Sequence, residues 1–227
     1  MFTIKICGIT RPEDAQAAAA AGADAIGLNF YPMSPRVIDA DRARAIIAAL
    51  PQHVLKVGLF VNSRPKEICR LFDDLKLDLI QLHGDESPEL LVALRGLPVM
   101  KAFGVEADGL SSITSYLSAC RQLGCLPRLV LIDAPRRHGF GGSGKPADWS
   151  LAKAYESLDD APPLVLAGGL RPENVADAIR ATGAHAVDTA SGVESQPGIK
   201  DPAAVAAFVA AARSAFKSLD DSTRPTA

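Results

Sequence analysis

GITRPEDAQAAAAAGADAIG, residues 8–27, is echoed at residues 169–188 by GLRPENVADAIRATGAHAVD. Each copy runs from a glycine through a turn and R-P-E into an Ala-rich segment of helical character, then through G-A-x-A into the next strand. A helix-to-strand unit that recurs along one chain marks a repeated βα architecture. Working outward from these copies, short β-branched or apolar runs alternate with helical segments throughout. Strands are predicted near 3–7, 24–30, 54–61, 78–83, 98–103, 128–133, 163–167 and 185–189. Helices are predicted over 12–21, 40–50, 65–75, 88–95, 109–123, 148–158, 173–181 and 202–217. Such alternation implies parallel strands joined by right-handed crossovers, and eight repeats in this length fit a closed (β/α)8 TIM barrel in the α/β class.

Proline placement supports the same count. Pro12, Pro65, Pro88, Pro172 and Pro202 fall where helices should begin, a position whose N–H has no partner in any case. Ser87 and Asp201 precede two of them as candidate N-caps. The barrel is expected to occupy residues 1–217 as one domain, followed by a polar, disordered tail at 218–227.

The 227 residues are 48% hydrophobic and 22% charged, enough apolar material for a substantial core. The net charge of −2 draws the chain neither to nucleic acid nor to an anionic membrane surface. One Trp, three Tyr and eight Phe leave little for a base-stacking platform. Cys7, Cys69, Cys120 and Cys125 match no zinc spacing, and no apolar run reaches the ~20 residues that cross a bilayer. Lys5, Arg11, Glu13 and Asp14 interrupt any leader-like apolar stretch at the start. Free thiols in a reduced cytoplasm are the expectation.

In a barrel of this kind the chemistry sits where strands end at their C-termini. Strand one ends KIC: alternation turns Thr3, Lys5 and Cys7 to one face and Ile4 and Ile6 to the other. Lys5 behind Cys7 favours a thiolate there, or serves instead as the partner of a buried carboxylate such as Asp188. Asp133 closes the apolar strand LVLID, where an unpaired charge is costly. A thiolate and a carboxylic acid at one barrel mouth form an acid/base pair, although a core cysteine and a capping aspartate read equally well singly. Arg36 follows a rigid Ser-Pro turn and suits a bidentate carboxylate clamp, or is a solvated loop arginine. His83 is a third polar wall or a satisfied structural histidine. Lys101 and Asp188 interrupt apolar strands; a structural role is the default for both, and the two are candidates to pair inside the barrel. Gly142, Ser143 and Gly144, then Gly168 and Gly169, then Ser191 and Gly192, fall in three consecutive strand-end loops. Single glycines make turns; clustered at this corner of a barrel they point to a phosphorylated small molecule.

Taken together, KICGIT (5–10), SPR (34–36), QLHG (81–84), LID (131–133), GGSGK with DW (141–145, 148–149), LAGGLRPENV (166–175) and SGVESQPGIKD (191–201) resemble the phosphoribosylanthranilate isomerase family of tryptophan biosynthesis. The motifs stand in family order and cover residues 3 to about 215. The resemblance implies a metal-free, cofactor-free Amadori rearrangement of N-(5-phosphoribosyl)anthranilate to 1-(2-carboxyphenylamino)-1-deoxyribulose 5-phosphate. It implies Cys7 as general base, Asp133 as general acid, Arg36 on the anthranilate carboxylate, and the backbone around Gly142–Gly144, Gly168–Gly169 and Ser191–Gly192 on the phosphate. Where the family has DVSSGVE this chain has DTASGVE, with Ala190 in place of a serine, and Ala147 stands before DW where a phenylalanine is expected. Arg136, Arg137 and His138 carry no role from the family.

Other phosphate-binding barrels fit less well. The ribosyl-aminoimidazole carboxamide isomerase of histidine biosynthesis relies on paired aspartates at strands one and five, where this chain has Cys7 and Phe103-Gly104. Indole-glycerol-phosphate synthase needs a catalytic lysine framework and an N-terminal extension. A non-catalytic sugar-phosphate binder would need neither Cys7 nor Asp133. Oligomeric state is left open.

Overall fold

The computed structural model describes residues 1–94, 96–104, 109–133 and 149–223. Strands β1 (Ile4–Ile6), β2 (Ala25–Asn29), β3 (Leu55–Phe60), β4 (Leu79–Leu82), β5 (Val99–Gly104), β6 (Leu129–Asp133), β7 (Leu164–Leu166) and β8 (Ala186–Thr189) pair in sequence order into one closed barrel. All its ladders are parallel, including the seam where β1 meets β8 with Lys5 opposite Asp188. Helices α1 (Pro12–Ala21), α2 (Ala40–Ala48), α3 (Pro65–Leu75), α4 (Pro88–Ala93), α5 (Ser111–Gln122), α6 (Trp149–Glu156), α7 (Val175–Thr182) and α8 (Pro202–Thr223) follow the strands in turn. The expected (β/α)8 TIM barrel is therefore the observed one.

The pleat divides the apolar residues into two layers. Phe2, Ala25, Val57, Met100, Leu131 and Val165 fill the barrel interior. Ile4, Ile6, Ile26, Leu28, Ile80 and Ile132 face outward and pack beneath the helices. Ala15 and Ala18 of α1 are fully buried in that outer layer together with Val205 and Phe208 of α8, so the alanine run is a helix packed closely against its neighbour.

Differences from the expected elements have local causes. α7 starts at Val175, and Pro172 lies in the turn before it; Asn174 holds that turn, accepting from the Arg171 amide at 2.7 Å and donating to the Gly169 carbonyl at 3.1 Å. Asp201 caps α8 by accepting from the Ala203 amide at 2.8 Å, whereas Ser87 occupies its N-cap position without a side-chain cap bond. α8 continues to Thr223, past the expected end at 217: the Ser218 hydroxyl donates to the Ser214 carbonyl at 2.9 Å, and Leu219 packs on the core. An antiparallel hairpin, β9 (Glu194–Gln196) and β10 (Ile199–Lys200), stands between β8 and α8. Its tight turn uses Gly198 at φ +81°, and a short 3₁₀ turn (Ser191–Val193) leads into it.

Candidate functional site

The site is built at the C-terminal ends of the strands, around the seam. Cys7 follows β1; its amide donates to the Thr189 carbonyl of β8 at 2.8 Å, and its side chain is 5% exposed. Lys5, one pleat below, is fully buried and its ammonium donates to Asp188 Oδ1 at 2.8 Å. Its charge also acts on the Cys7 sulfur. Gly27 of β2 makes room for both groups: a Cβ there would lie 2.5 Å from Cys7 Sγ and 3.1 Å from Lys5 Nζ. Burial works against the Lys5 charge, yet Asp188 and Cys7 outweigh it and hold the ammonium above its ordinary value. Burial pushes the Cys7 thiol up, and Lys5 only partly offsets that. Lys5 thus acts on Cys7 in the expected direction without making it a ready thiolate, and it is the Asp188 partner as well.

Asp133 ends β6, opposite Gly104 of β5. Round the closed barrel, β7 and β8 separate it from Cys7 on β1, and Asp188 of β8 interacts with Lys5, Asp133 and His83 alike. Cys7 and Asp133 therefore share one mouth with the Lys5–Asp188 pair between them. His83 Nε2 lies 3.3 Å from Asp133 Oδ2, and its Nδ1 is 2.9 Å from the Gln81 amide nitrogen. With that amide against Nδ1, the Nε2 side of the ring faces the Asp133 carboxylate. His83 thus stands between Gln81 and Asp133 at the mouth.

Arg36 clamps a carboxylate with the expected geometry, and that carboxylate belongs to Glu194. Its Nε and Nη2 donate to Glu194 Oε1 and Oε2, both at 2.7 Å. Its loop is folded by polar groups: Asn29, at the end of β2, donates to Ser34 Oγ at 3.0 Å and accepts from the Tyr31 amide, while the Arg36 amide donates to Ser34 Oγ at 3.1 Å. Gly8, at φ +70°, lies under the arginine stem, where a Cβ would stand 2.3 Å from Arg36 Cδ. The glycine after Cys7 thus makes room for Arg36 beside the thiol.

Gly168 and Gly169 both adopt left-handed backbone, φ +87° and +63°, after β7. The loop after β8 closes directly onto theirs: Thr189 Oγ1 donates to the Leu170 carbonyl at 2.8 Å, and a Cβ on Gly192 would lie 1.9 Å from that oxygen. Gly168, Gly169, Ser191 and Gly192 are thereby brought together. Gly142, Ser143 and Gly144 lie outside the described residues, as do Arg136, Arg137, His138 and Ala147.

The candidate Lys101–Asp188 pairing is not formed. Asp188 points into the barrel and pairs with Lys5; Lys101, on the opposite face of the sheet, donates to Glu86 Oε2 at 2.9 Å and to the Gly84 carbonyl at 2.7 Å. Buried Glu86 in turn accepts from the Gly84 and Asn62 amides and so shapes the loop after β4 that carries His83. Glu86, Gly27, Asn29, Glu194 and Lys200 went unassigned in the sequence; the signal for the first is a carboxylate three residues beyond a strand-end histidine.

A closed barrel whose strand ends gather a thiol, carboxylates, an arginine and paired glycine loops at one rim is a (β/α)8-barrel enzyme. The particular family follows from comparison. The N-(5'-phosphoribosyl)anthranilate isomerase family model matches residues 4–211. A relative of that name from Acidithiobacillus ferrooxidans is 46% identical over 215 residues, covering 94% of this chain and 98% of its own. One from Pseudomonas aeruginosa is 48% identical over 213 residues, with 93% and 95% covered. The crystal structure of the phosphoribosyl anthranilate isomerase from Thermotoga maritima superposes with a TM-score of 0.82 at 40% identity, over 94% of this chain and 100% of that one. A further structure of such an isomerase, in complex with reduced 1-(o-carboxyphenylamino)-1-deoxyribulose 5-phosphate, superposes at 0.78 with 38% identity over 94% of this chain and 100% of that one. The chain belongs to the phosphoribosylanthranilate isomerase family and is an isomerase.

Proposed function

We propose that this enzyme carries out the Amadori rearrangement of N-(5-phosphoribosyl)anthranilate, with Asp133 as general acid and Cys7 as general base. The observation that carries this is the placement of Cys7 and Asp133 at the ends of β1 and β6, in one mouth. Asp133 donates a proton to the ribose ring oxygen; the C1–O bond breaks and the nitrogen lone pair forms a protonated imine. Cys7, as thiolate, takes the C2 proton, and the C2–H electrons move to give the enolamine. Tautomerisation then yields the aminoketose, with no net change in atoms or oxidation level. His83, whose Nε2 stands 3.3 Å from Asp133 Oδ2, holds the acid in place. Lys5 makes the anionic sulfur less costly than burial alone would.

The paired loops at Gly168–Gly169 and Ser191–Gly192 hold the phosphate through backbone N–H groups. Ala190 keeps a backbone N–H for this purpose but offers no hydroxyl. Arg36 receives the anthranilate carboxylate. The catalytic unit is one barrel domain working with a small-molecule substrate. Its four cysteines are free, which suits a reducing cytoplasm, and no described helix is long and apolar enough to cross a membrane.

Fluorescence-monitored turnover of phosphoribosylanthranilate tests the assignment. Cys7→Ser and Asp133→Asn are each expected to lose at least ~10²-fold in kcat, the scale of a general acid or base. Full activity in either variant removes that residue from its role, and an inactive wild type removes the reaction.

A further inference from the structure

Arg36 is surrounded by groups that the reaction scheme leaves unused. Glu194 opens β9, immediately after the 3₁₀ turn Ser191–Val193, and its side chain is only 5% exposed. It occupies the Nε–Nη2 edge of the guanidinium with both oxygens. Lys200 of β10 binds the same carboxylate, its ammonium donating to Oε1 at 2.8 Å and to the Ala190 carbonyl at 2.9 Å. The Lys200 amide is anchored on Asp14 of α1 at 3.1 Å. Burial works against the Glu194 charge, but Arg36 and Lys200 outweigh it and hold the carboxyl below its usual range.

A guanidinium has five N–H donors in a planar fork, and Glu194 engages one edge of it. Among the described residues nothing engages the Nη1 side, which is left for a second carboxylate in the same plane. The Gly8 backbone presses the stem from below and Glu194 fixes the head from the side, so the free edge has one orientation. We propose that Glu194, braced by Lys200, is a positioning residue that presents the Nη1 edge of Arg36 to the substrate carboxylate and stays bound to Arg36 throughout turnover. This rests on the substrate assignment made above.

The opposite role, a placeholder that the substrate must displace, makes the opposite prediction. Glu194→Gln removes one negative charge beside the arginine, so charge alone would draw an anionic ligand in more tightly. Relief from displacement would act in the same direction. Loss of positioning acts against both: the Gln amide offers one acceptor and one donor, and its N–H groups face those of Arg36, so the two-bond fork cannot persist. The sign of the change therefore separates the two roles.

The experiment measures affinity of wild type, Glu194→Gln and Glu194→Asp for two ligands. One is reduced 1-(o-carboxyphenylamino)-1-deoxyribulose 5-phosphate; the other is its phenylamino counterpart lacking the carboxylate. Glu194→Gln is expected to weaken the carboxylated ligand ~10-fold and raise KM comparably, with kcat within ~3-fold and the carboxylate-free ligand within ~2-fold. Glu194→Asp, which keeps the charge on a shorter stem, is expected to lose ~3-fold on the carboxylated ligand only, and it carries the test if the Gln variant does not fold. Equal or tighter binding of the carboxylated ligand overturns the proposal, as does equal weakening of both ligands, the signature of a merely structural residue. A wild type that does not discriminate the two ligands overturns the substrate assignment and this proposal together, a failure visible before any variant is made.

Discussion

Gly27→Ala probes how tightly the mouth is moulded around the thiol. The new methyl would stand 2.5 Å from Cys7 Sγ, 3.0 Å from Cys7 Cα and 3.1 Å from Lys5 Nζ, with both residues buried. Ordinary contact needs ~3.5 Å, so the sulfur must retreat by ~1 Å, while the α-carbon and the ammonium yield by less. Overpacking of this size costs about 1–3 kcal/mol, which lowers Tm by roughly 2–12 °C in a domain of this length. A reacting atom displaced by ~1 Å loses ~10²-fold in rate, so kcat should fall that far while KM changes by less, because the glycine loops proposed to bind the phosphate lie after β7 and β8. Steady-state turnover and thermal unfolding on the same preparation read both effects. A double-mutant cycle with Cys7→Ala isolates the cause. Removing the sulfur takes away the worst contact, so the Gly27→Ala penalty should shrink by at least ~0.5 kcal/mol in the Cys7→Ala background. Wild-type kcat and Tm in Gly27→Ala, or strictly additive stabilities in the cycle, would refute the packing account.

Two further outcomes are expected from the electrostatics. Because burial raises the Cys7 thiol, Lys5 lowers it and Asp188 raises it, iodoacetamide labelling of the Cys7 peptide should move to higher pH in Lys5→Met and to lower pH in Asp188→Asn; shifts of the same sign would contradict this reading. At the other end of the barrel, burial alone would raise the Asp24 carboxyl, but bonds from Thr3, Ile4 and Arg213 outweigh it and hold it below its ordinary value. Its stabilisation is then full above the unfolded value near ~3.9 and fades as pH falls through the lower folded value. Asp24→Asn should cost ~1–2 kcal/mol at pH 7 by urea unfolding, with the gap to wild type closing below pH ~4; a gap that persists in acid would remove the charge from the account.

The strands and their order could be read from the chain because each unit repeats the same local message: a two-residue period, a helical period and a proline or glycine between them. Cys7 and Asp133 could be read for a related reason, since each places a reactive group at the end of an apolar strand. What stayed hidden was set by partners far along the chain. Lys101 and Asp188 look alike as charges inside strands, and only their side of the pleat sends one to Glu86 and the other to Lys5. Arg36 was recognisable as a carboxylate clamp, but Glu194 lies 158 residues further on, in a hairpin whose short strands carry no periodic signal. Gly27 gave no hint because what it accommodates belongs to the neighbouring strand. α8 outran its expected end because Leu219 and the Ser218 back-bond extend the packed face through a stretch that is polar on average.

The seam between β1 and β8 joins opposite extremes of the chain. β1 and the residues after it bring Lys5, Cys7 and the Gly8 bed for Arg36, while β8 and its hairpin bring Asp188, Glu194 and Lys200. A partly folded chain that had assembled everything through β7 would already hold the proposed acid and base, yet its thiol would lack the Lys5–Asp188 pair and its arginine would lack a brace. Catalytic competence is therefore tied to the locking of the ring. For this enzyme, turnover regained during refolding should serve as a clock for ring closure.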